Sequence, residues 1–218
     1  MLEEFKEYRG TPSVPIKYVI RCVTPADVGP VSELYSEVFA RPPWSFSLLR
    51  AELRAFIEGS LKQADFAGVV ADVGTSIVGV SWGHALTEDT SFQPHLEKIP
   101  FPLLRDVGGK GVNPFYAAVT AVREPHRRQH VATGLVRDRS LEAINLGFSQ
   151  SVFRTKNAAM VHLYERLFGP GNVVRLFADP MFPDRQWYRV NLAVIHERLH
   201  RTPFANSTAK LGRREWLG

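Results

Sequence analysis

The sequence predicts a mixed α/β (α+β) domain, on three observations. Two apolar, strand-like runs, 66–73 and 76–85, are separated only by Gly74-Thr75, which reads as an antiparallel hairpin. Farther on, an apolar run at 115–122, a helical pattern at 131–146 and a second short run at 151–155 alternate as strand, helix, strand. The composition, 44% apolar and 22% charged, is that of a chain able to bury a sizeable core.

The elements follow in order. Residues 1–16 are polar and carry Pro12 and Pro15, so they read as a tail or extension. Residues 17–23 read as a strand. Thr24-Pro25-Ala26-Asp27 is a helix start: a threonine cap, proline at the first helical position and a carboxylate in the first turn. Val31, Leu34, Tyr35 and Val38 continue that helix, and Arg41-Pro42-Pro43-Trp44 breaks it. Leu49, Leu53, Phe56, Ile57 and Leu61 repeat at helical spacing. After the hairpin comes a long irregular insertion, 87–113, of the kind that often serves as a lid or binding loop. Its Gly108-Gly109-Lys110-Gly111 lacks the ending and spacing of a phosphate-binding loop and reads as a flexible turn. Asn157 caps a helix carrying Met160, Leu163, Tyr164 and Leu167, which Gly169-Pro170 ends. Residues 173–177 and 187–195 read as a final antiparallel pair around a proline-rich loop, 178–186. One domain is expected over 17–200, with a basic extension at 201–218.

The lone cysteine, Cys22, excludes an intrachain disulfide and lies in an apolar run, which favours a core position. No stretch approaches the roughly 20 apolar residues of a membrane span, and the acidic start MLEEFKEYRG is no secretory signal. A cytoplasmic protein without membrane or metal is therefore expected. The net charge is +5, with arginine far exceeding lysine. Such a balance suits phosphate-bearing partners.

One run concentrates that charge. Arg127-Arg128-Gln129-His130-Val131-Ala132-Thr133-Gly134 joins a strand to a helix. The first N–H groups of a helix lack internal acceptors, and its dipole favours an anion there. The small Ala132 and Gly134 allow a ligand or a neighbouring strand to come close.

With Val122 and Pro125 before it, the stretch Arg127 to Ala132 resembles the cofactor motif of the GNAT family of acyl-CoA-dependent N-acyltransferases. A second family motif, asparagine followed seven residues later by tyrosine, matches Asn157 and Tyr164. The resemblance covers about residues 17–196. It implies a GNAT-like fold: a central, mostly antiparallel sheet, splayed between the fourth and fifth strands and flanked by helices. It implies acetyl-CoA, or another acyl-CoA, as cofactor. The pyrophosphate would sit on the N–H groups of Gln129, His130, Val131, Ala132 and Thr133, beside Gly134, with Arg127, Arg128 and Asn157 also at the cofactor. The pantetheine arm would bond the fourth strand, and an N–H near Ala121 or Val122 would polarise the thioester carbonyl. Tyr164 would protonate the departing thiolate.

The chain departs from the family pattern at two places. His130 stands where glycine is usual, and the strand 115–122 lacks the glutamate that often serves as general base. His84 is the replacement base suggested by its place near the end of the third strand and by the imidazole pKa. Glu124 reads as a surface charge. Trp44, Trp82 and Trp187, with Phe46, Phe92, Phe101 and Phe182, suggest an acceptor with an apolar body, and Glu88 and Asp89 could receive its amine. The expected reaction is acetyl transfer to a primary amine of a small molecule or peptide. A degenerate GNAT-fold binding protein and a basic nucleic-acid-binding protein, the latter motivated by Arg213-Arg214, stand as alternatives. Oligomeric state, a homodimer included, is left open.

Overall fold

The computed structural model describes residues 17–42, 44–45, 49–63, 65–86 and 113–195. The tail, most of the 87–113 insertion and the basic extension lie outside the described residues, and with them Phe46, Glu88, Asp89, Phe92, Phe101, Arg213 and Arg214.

Seven strands form one sheet: β1 (Val19–Cys22), β2 (Ala67–Val73), β3 (Ser76–Ala85), β4 (Phe115–Val122), β5 (Gln150–Thr155), β6 (Val173–Ala178) and β7 (Gln186–Asn191). Four α-helices are described: α1 (Val28–Phe39), α2 (Arg50–Leu61), α3 (Val131–Asn145) and α4 (Ala158–Phe168). The strand order is β1-β2-β3-β4-β5-β7-β6, with every pairing antiparallel except β4 with β5. Among the described residues no helix is long and apolar enough to cross a membrane.

Differences from the sequence reading have local causes. Thr24 caps a 3-10 turn, Pro25–Asp27, before α1 begins. Asp27 accepts from Thr24 N (2.7 Å) and Thr24 Oγ1 (2.8 Å), and takes both terminal nitrogens of Arg21 at 2.7 and 2.8 Å. Arg21 Nε reaches Asp72 at 2.7 Å, so one guanidinium ties β1, the turn and β2 together. At the other end β7 stops at Asn191, whose side-chain oxygen accepts from Ala193 N (3.1 Å) and turns the chain away. The pair β6–β7 forms as expected, but β7 inserts between β5 and β6.

Helices α1 and α2 pack on one face against Val70, Val80, Trp82, Val119 and Ala121. Helix α3 packs on the other, against Ile20, Val69, Ala71, Val78 and Val122, by way of Val131 and Leu135. Strand β4 changes phase between these faces. Phe115 and Ala117 belong with Val136, Phe153 and Tyr164 on the α3–α4 side, whereas Val119 and Ala121 lie on the α1–α2 side. A regular strand would put all four on one face. The register shows why: Trp82 pairs with Val119 and His84 with Tyr116, so Ala117 and Ala118 together oppose Gly83 alone. This is a β-bulge in β4, which bends the strand and adds twist.

The bulge depends on Gly83. A Cβ there would lie 2.2 Å from the Tyr116 carbonyl oxygen and 2.6 Å from the Phe115 ring. The oxygen belongs to the backbone and cannot swing aside as a side chain can. Gly83→Ala should therefore lower stability by roughly 3 kcal/mol, read as a shift in the urea midpoint. A loss below about 0.5 kcal/mol, the scale of a neutral surface change, would show that β4 does not need this close approach.

Candidate functional site

Strands β4 and β5 pair only at Phe115↔Ser151 and Tyr116↔Val152. Directly after this pair comes the bulge, and the strands part. The gap opens into a cavity of about 170 Å³ whose floor is Ala117 to Thr120 on one side and Phe153 to Thr155 on the other. Met160 and Tyr164 of α4 close one end. Tyr35, Phe39 and Phe56 of α1 and α2, Trp44 after α1, and Phe182 and Arg185 from the β6–β7 loop form the other. None of these lining residues is a carboxylate or an imidazole.

Beyond the far end of β4 lies the basic turn. Arg128 and His130 both have left-handed backbone, with φ of 61° and 63°, and His130 is the N-cap of α3. Two such residues one apart curl the backbone, a shape that makes N–H groups converge on an anion. Gly134 N donates to His130 O at 3.0 Å, whereas the N–H groups of Gln129, His130, Val131, Ala132 and Thr133 find no acceptor among the described residues. Arg127 Nε donates to Val122 O (3.1 Å) and Gln129 Nε2 to Pro125 O (3.0 Å), which fixes the turn on the strand end. Arg127 and Arg128 are exposed and have no carboxylate partner among the described residues. Free N–H groups, a helix N-terminus and two unpaired guanidinium groups fit a diphosphate.

The conformation also explains the glycine expected at His130. Left-handed backbone is costly for a residue with a Cβ. His130 tolerates it with its side chain in solvent and its carbonyl held by Gly134 N and by Tyr18 Oη at 3.2 Å. The imidazole therefore leaves the N–H groups uncovered. Gly134 has another purpose than ligand approach: a Cβ there would meet Ile20 Cδ1 at 2.7 Å, so it admits β1 against α3.

Tyr164 is buried beside the cavity, stacked on Phe153 at 4.0 Å. Its Oη accepts a 2.6 Å hydrogen bond from Arg139 Nη2. Arg139 is itself only 1% exposed. Its Nη1 donates to Ser81 Oγ (2.9 Å) and Thr120 Oγ1 (3.3 Å), and its guanidinium lies 6.0 Å from the Phe115 ring centroid and 5.9 Å from that of Tyr164. Among the described residues no carboxylate pairs with it, an expensive state for a buried charge. Because the Tyr164 oxygen accepts from Arg139, its own O–H is left to point at another acceptor. The sequence carried a signal for Arg139: it sits four residues after Leu135 and four before Ala143, on the buried stripe of α3.

Behind the opposite wall Asp179, 1% exposed, organises the β6–β7 loop. It accepts from Met181 N (2.8 Å), Phe182 N (3.0 Å), Trp187 Nε1 (3.0 Å) and Arg154 Nη1 (2.8 Å). These donors, Arg154 foremost, hold its carboxyl below the usual range against the opposing effect of burial. No sequence pattern announced Arg139, Arg154, Asp179 and Arg185 as one group, because they come from separate elements.

Several expected site residues lie elsewhere. Trp82 is core, packed between Tyr35 and Phe56. Trp187 is fully buried against Tyr116, with its indole N–H committed to Asp179. Both are displaced from the walls for the same reason: bulky rings bury the most apolar area. Ala121 and Val122 pair with Val80 and Gly79, away from the bulge, so the β4 backbone facing the cavity is Ala117 to Thr120. Asn157 caps α4, its Oδ1 accepting from Ala159 N at 3.0 Å. Glu124 is exposed and paired with Arg41. Trp44, alone of the three tryptophans singled out, lines the cavity.

His84 is buried, 4% exposed, and does not line the cavity. Its Nδ1 is 2.8 Å from Ala85 O, which makes Nδ1–H the donor in the neutral ring. Burial pushes its pKa below the usual value of about 6.5.

No protein-family model matches the chain, and no curated protein matches it. Solved structures do. An N-acetyltransferase from Staphylococcus aureus Mu50 superposes with TM-score 0.55 at 15% identity, covering 81% of this chain and 99% of that one. The PaiA N-acetyltransferase of Thermoplasma acidophilum, in complex with coenzyme A, does so with 0.56 at 8% identity, covering 80% and 99%. A histone acetyltransferase HPA2-related structure from Corynebacterium glutamicum gives 0.56 at 20%, covering 80% and 96%. The chain has the GNAT fold. In the GNAT-fold sheet the parting of β4 from β5 lies where the sequence resemblance places the splay.

Two predictions follow from these placements. His130→Gly removes the left-handed strain and should raise stability by about 1 kcal/mol, measured by denaturation; a destabilised variant would mean that the imidazole makes a needed contact. The second concerns His84. With its folded pKa below the unfolded one, its contribution is whole above about pH 6.5 and is lost as pH falls, because the unfolded chain takes the proton first. Stability should drop between pH 6.5 and 5 by no more than about 1.4 kcal/mol per unit. His84→Gln should flatten that slope, and an unchanged slope would assign it to other groups.

Proposed function

We propose that this protein is an acyl-CoA-dependent N-acyltransferase that acetylates a primary amine by direct transfer. The single observation carrying this reading is the order along one strand: Tyr164 beside the gap, the β4 edge from Ala117 to Thr120 left without a β5 partner, and, after the end of β4, the free N–H groups at the start of α3.

When bound, acetyl-CoA supplies an acyl group already activated as a thioester. The N–H groups of Gln129 to Thr133, with Arg127 and Arg128, hold its diphosphate. The β4 edge beyond Tyr116 has no strand partner on the β5 side and takes the amides of the pantetheine arm as a strand would. At the bulge an N–H of Ala117 to Thr120 is left outside the ladder and can donate to the thioester carbonyl as charge develops there. The apolar walls keep water from the thioester. Tyr164, with its oxygen held by Arg139, presents its O–H to the departing sulfur. The amine loses its proton to water at the cavity mouth or before it enters, since the described lining offers no carboxylate or imidazole.

Titration calorimetry with acetyl-CoA is the direct test. One equivalent should bind; an absence of heat at millimolar cofactor would end this reading. Tyr164→Phe should leave that binding intact and reduce kcat by about tenfold to a hundredfold. It should also cost about 1–3 kcal/mol of stability, because Arg139 Nη2 loses its buried acceptor. Kinetics well below the melting transition separate the two effects, and an unchanged kcat would remove Tyr164 from the reaction.

A further inference from the structure

The acceptor end of the cavity holds an unmatched positive charge. Three cations surround it: Arg154, Lys156 and Arg185. Arg154 is paired with Asp179 at 2.8 Å. Lys156 is paired with Asp184 at 2.9 Å. Arg185 makes no ion pair or side-chain hydrogen bond among the described residues, and its Nε is shielded from solvent without a partner. The guanidinium instead lies on the Phe182 ring at 4.1 Å and near Trp44 at 5.4 Å. Those rings orient the fork but accept no hydrogen bonds in its plane.

The electrostatic surroundings point the same way. Burial and the neighbouring Arg154 both disfavour the charge on Arg185, and only Asp184, Asp179 and Tyr116 oppose them, the two carboxylates already engaged by other cations. An arriving anion would relieve that repulsion and complete the fork. A cationic group would find no carboxylate on the described walls.

We infer that the acceptor is an amine that also carries a carboxylate on an apolar or aromatic body, with the carboxylate bound by Arg185 and the body held by Trp44, Phe39 and Tyr35. This deepens the acyltransferase reading and rests on it for the amine. The arginine fork matches a carboxylate in two parallel hydrogen bonds, and Trp44 and Phe39, 5.7 Å apart, offer ring faces next to it. The reaction stays balanced: the amine nitrogen bonds to the acyl carbon, the carbon–sulfur bond breaks, and the nitrogen's proton leaves while the sulfur gains one.

Matched probes that differ only in the carboxylate test this: phenylalanine against phenethylamine, and tryptophan against tryptamine. Each is titrated into the full chain by calorimetry, with and without coenzyme A. The carboxylate-bearing member should bind wild type at least about tenfold more tightly, the scale of one hydrogen-bonded charge. Arg185→Gln should bring that preference below about threefold, while Arg185→Lys, which keeps the charge but not the fork, should fall between them. Equal or tighter binding of the decarboxylated member, no binding of either member in both conditions, or an undiminished preference in Arg185→Gln would each overturn the inference. Failure of the acyltransferase reading looks different: acetyl-CoA gives no heat, while the carboxylate preference persists in the arm without coenzyme A.

Discussion

The parting of β4 from β5 is the constraint on which the rest of the molecule is arranged. Parallel strands that share two ladder pairs and then separate leave backbone donors and acceptors without partners. Such groups are costly when buried, so the gap must either admit solvent or take a ligand that replaces a strand. The bulge at Ala117–Ala118 keeps the gap open. It turns β4 away from β5 and inverts the side-chain phase, so that one strand serves both cores. Gly83 permits the bulge, and β7 steadies β5 from the other side along its full length.

The inversion of phase also brings Arg139 to its place. Thr120, one residue past the phase change, faces α3 rather than α1, and with Ser81 it accepts from Arg139 Nη1. A regular β4 would turn Thr120 to the other face. The buried guanidinium would then lose one of its three hydroxyl acceptors, and with no carboxylate beside it the loss would be severe. Bulge, Thr120, Arg139 and Tyr164 are one mechanical unit, in which the orientation of the Tyr164 hydroxyl is set by the phase of β4.

The sequence made most elements legible, because their signals were local. Gly74 marked the hairpin, Asn157 capped α4, and the basic turn opened α3. The bulge was hidden: every residue from Phe115 to Val122 is apolar or small, so period two leaves no trace. The insertion of β7 between β5 and β6 was hidden as well, since a hairpin's pairing does not say which of its strands meets a third. Within the site, Trp44 was readable from its place after two prolines. Trp82, Trp187 and His84 were misplaced by the same reasoning, for at a strand end an aromatic or imidazole ring serves the core as readily as a ligand. His130 stood out by chemistry alone, whereas its meaning lay in a positive φ that no spacing reveals.

Charge ties these pieces together. Along the path from α3 to the β6–β7 loop stand Arg127 and Arg128, then Arg139, then Arg185, none of them paired with a carboxylate among the described residues. Several other arginines are matched: Arg21 with Asp27 and Asp72, Arg123 with Glu37, Arg154 with Asp179. The four on the path stand at three stations where the proposed reaction brings or develops negative charge: the diphosphate, the departing sulfur and the carboxylate of the acceptor. Each station uses a different means to hold an unpaired guanidinium, namely solvent at the helix start, hydroxyls in the core and aromatic faces at the mouth. The protein therefore carries the cost of separated positive charge before any ligand arrives, and ligand binding is the step that relieves it.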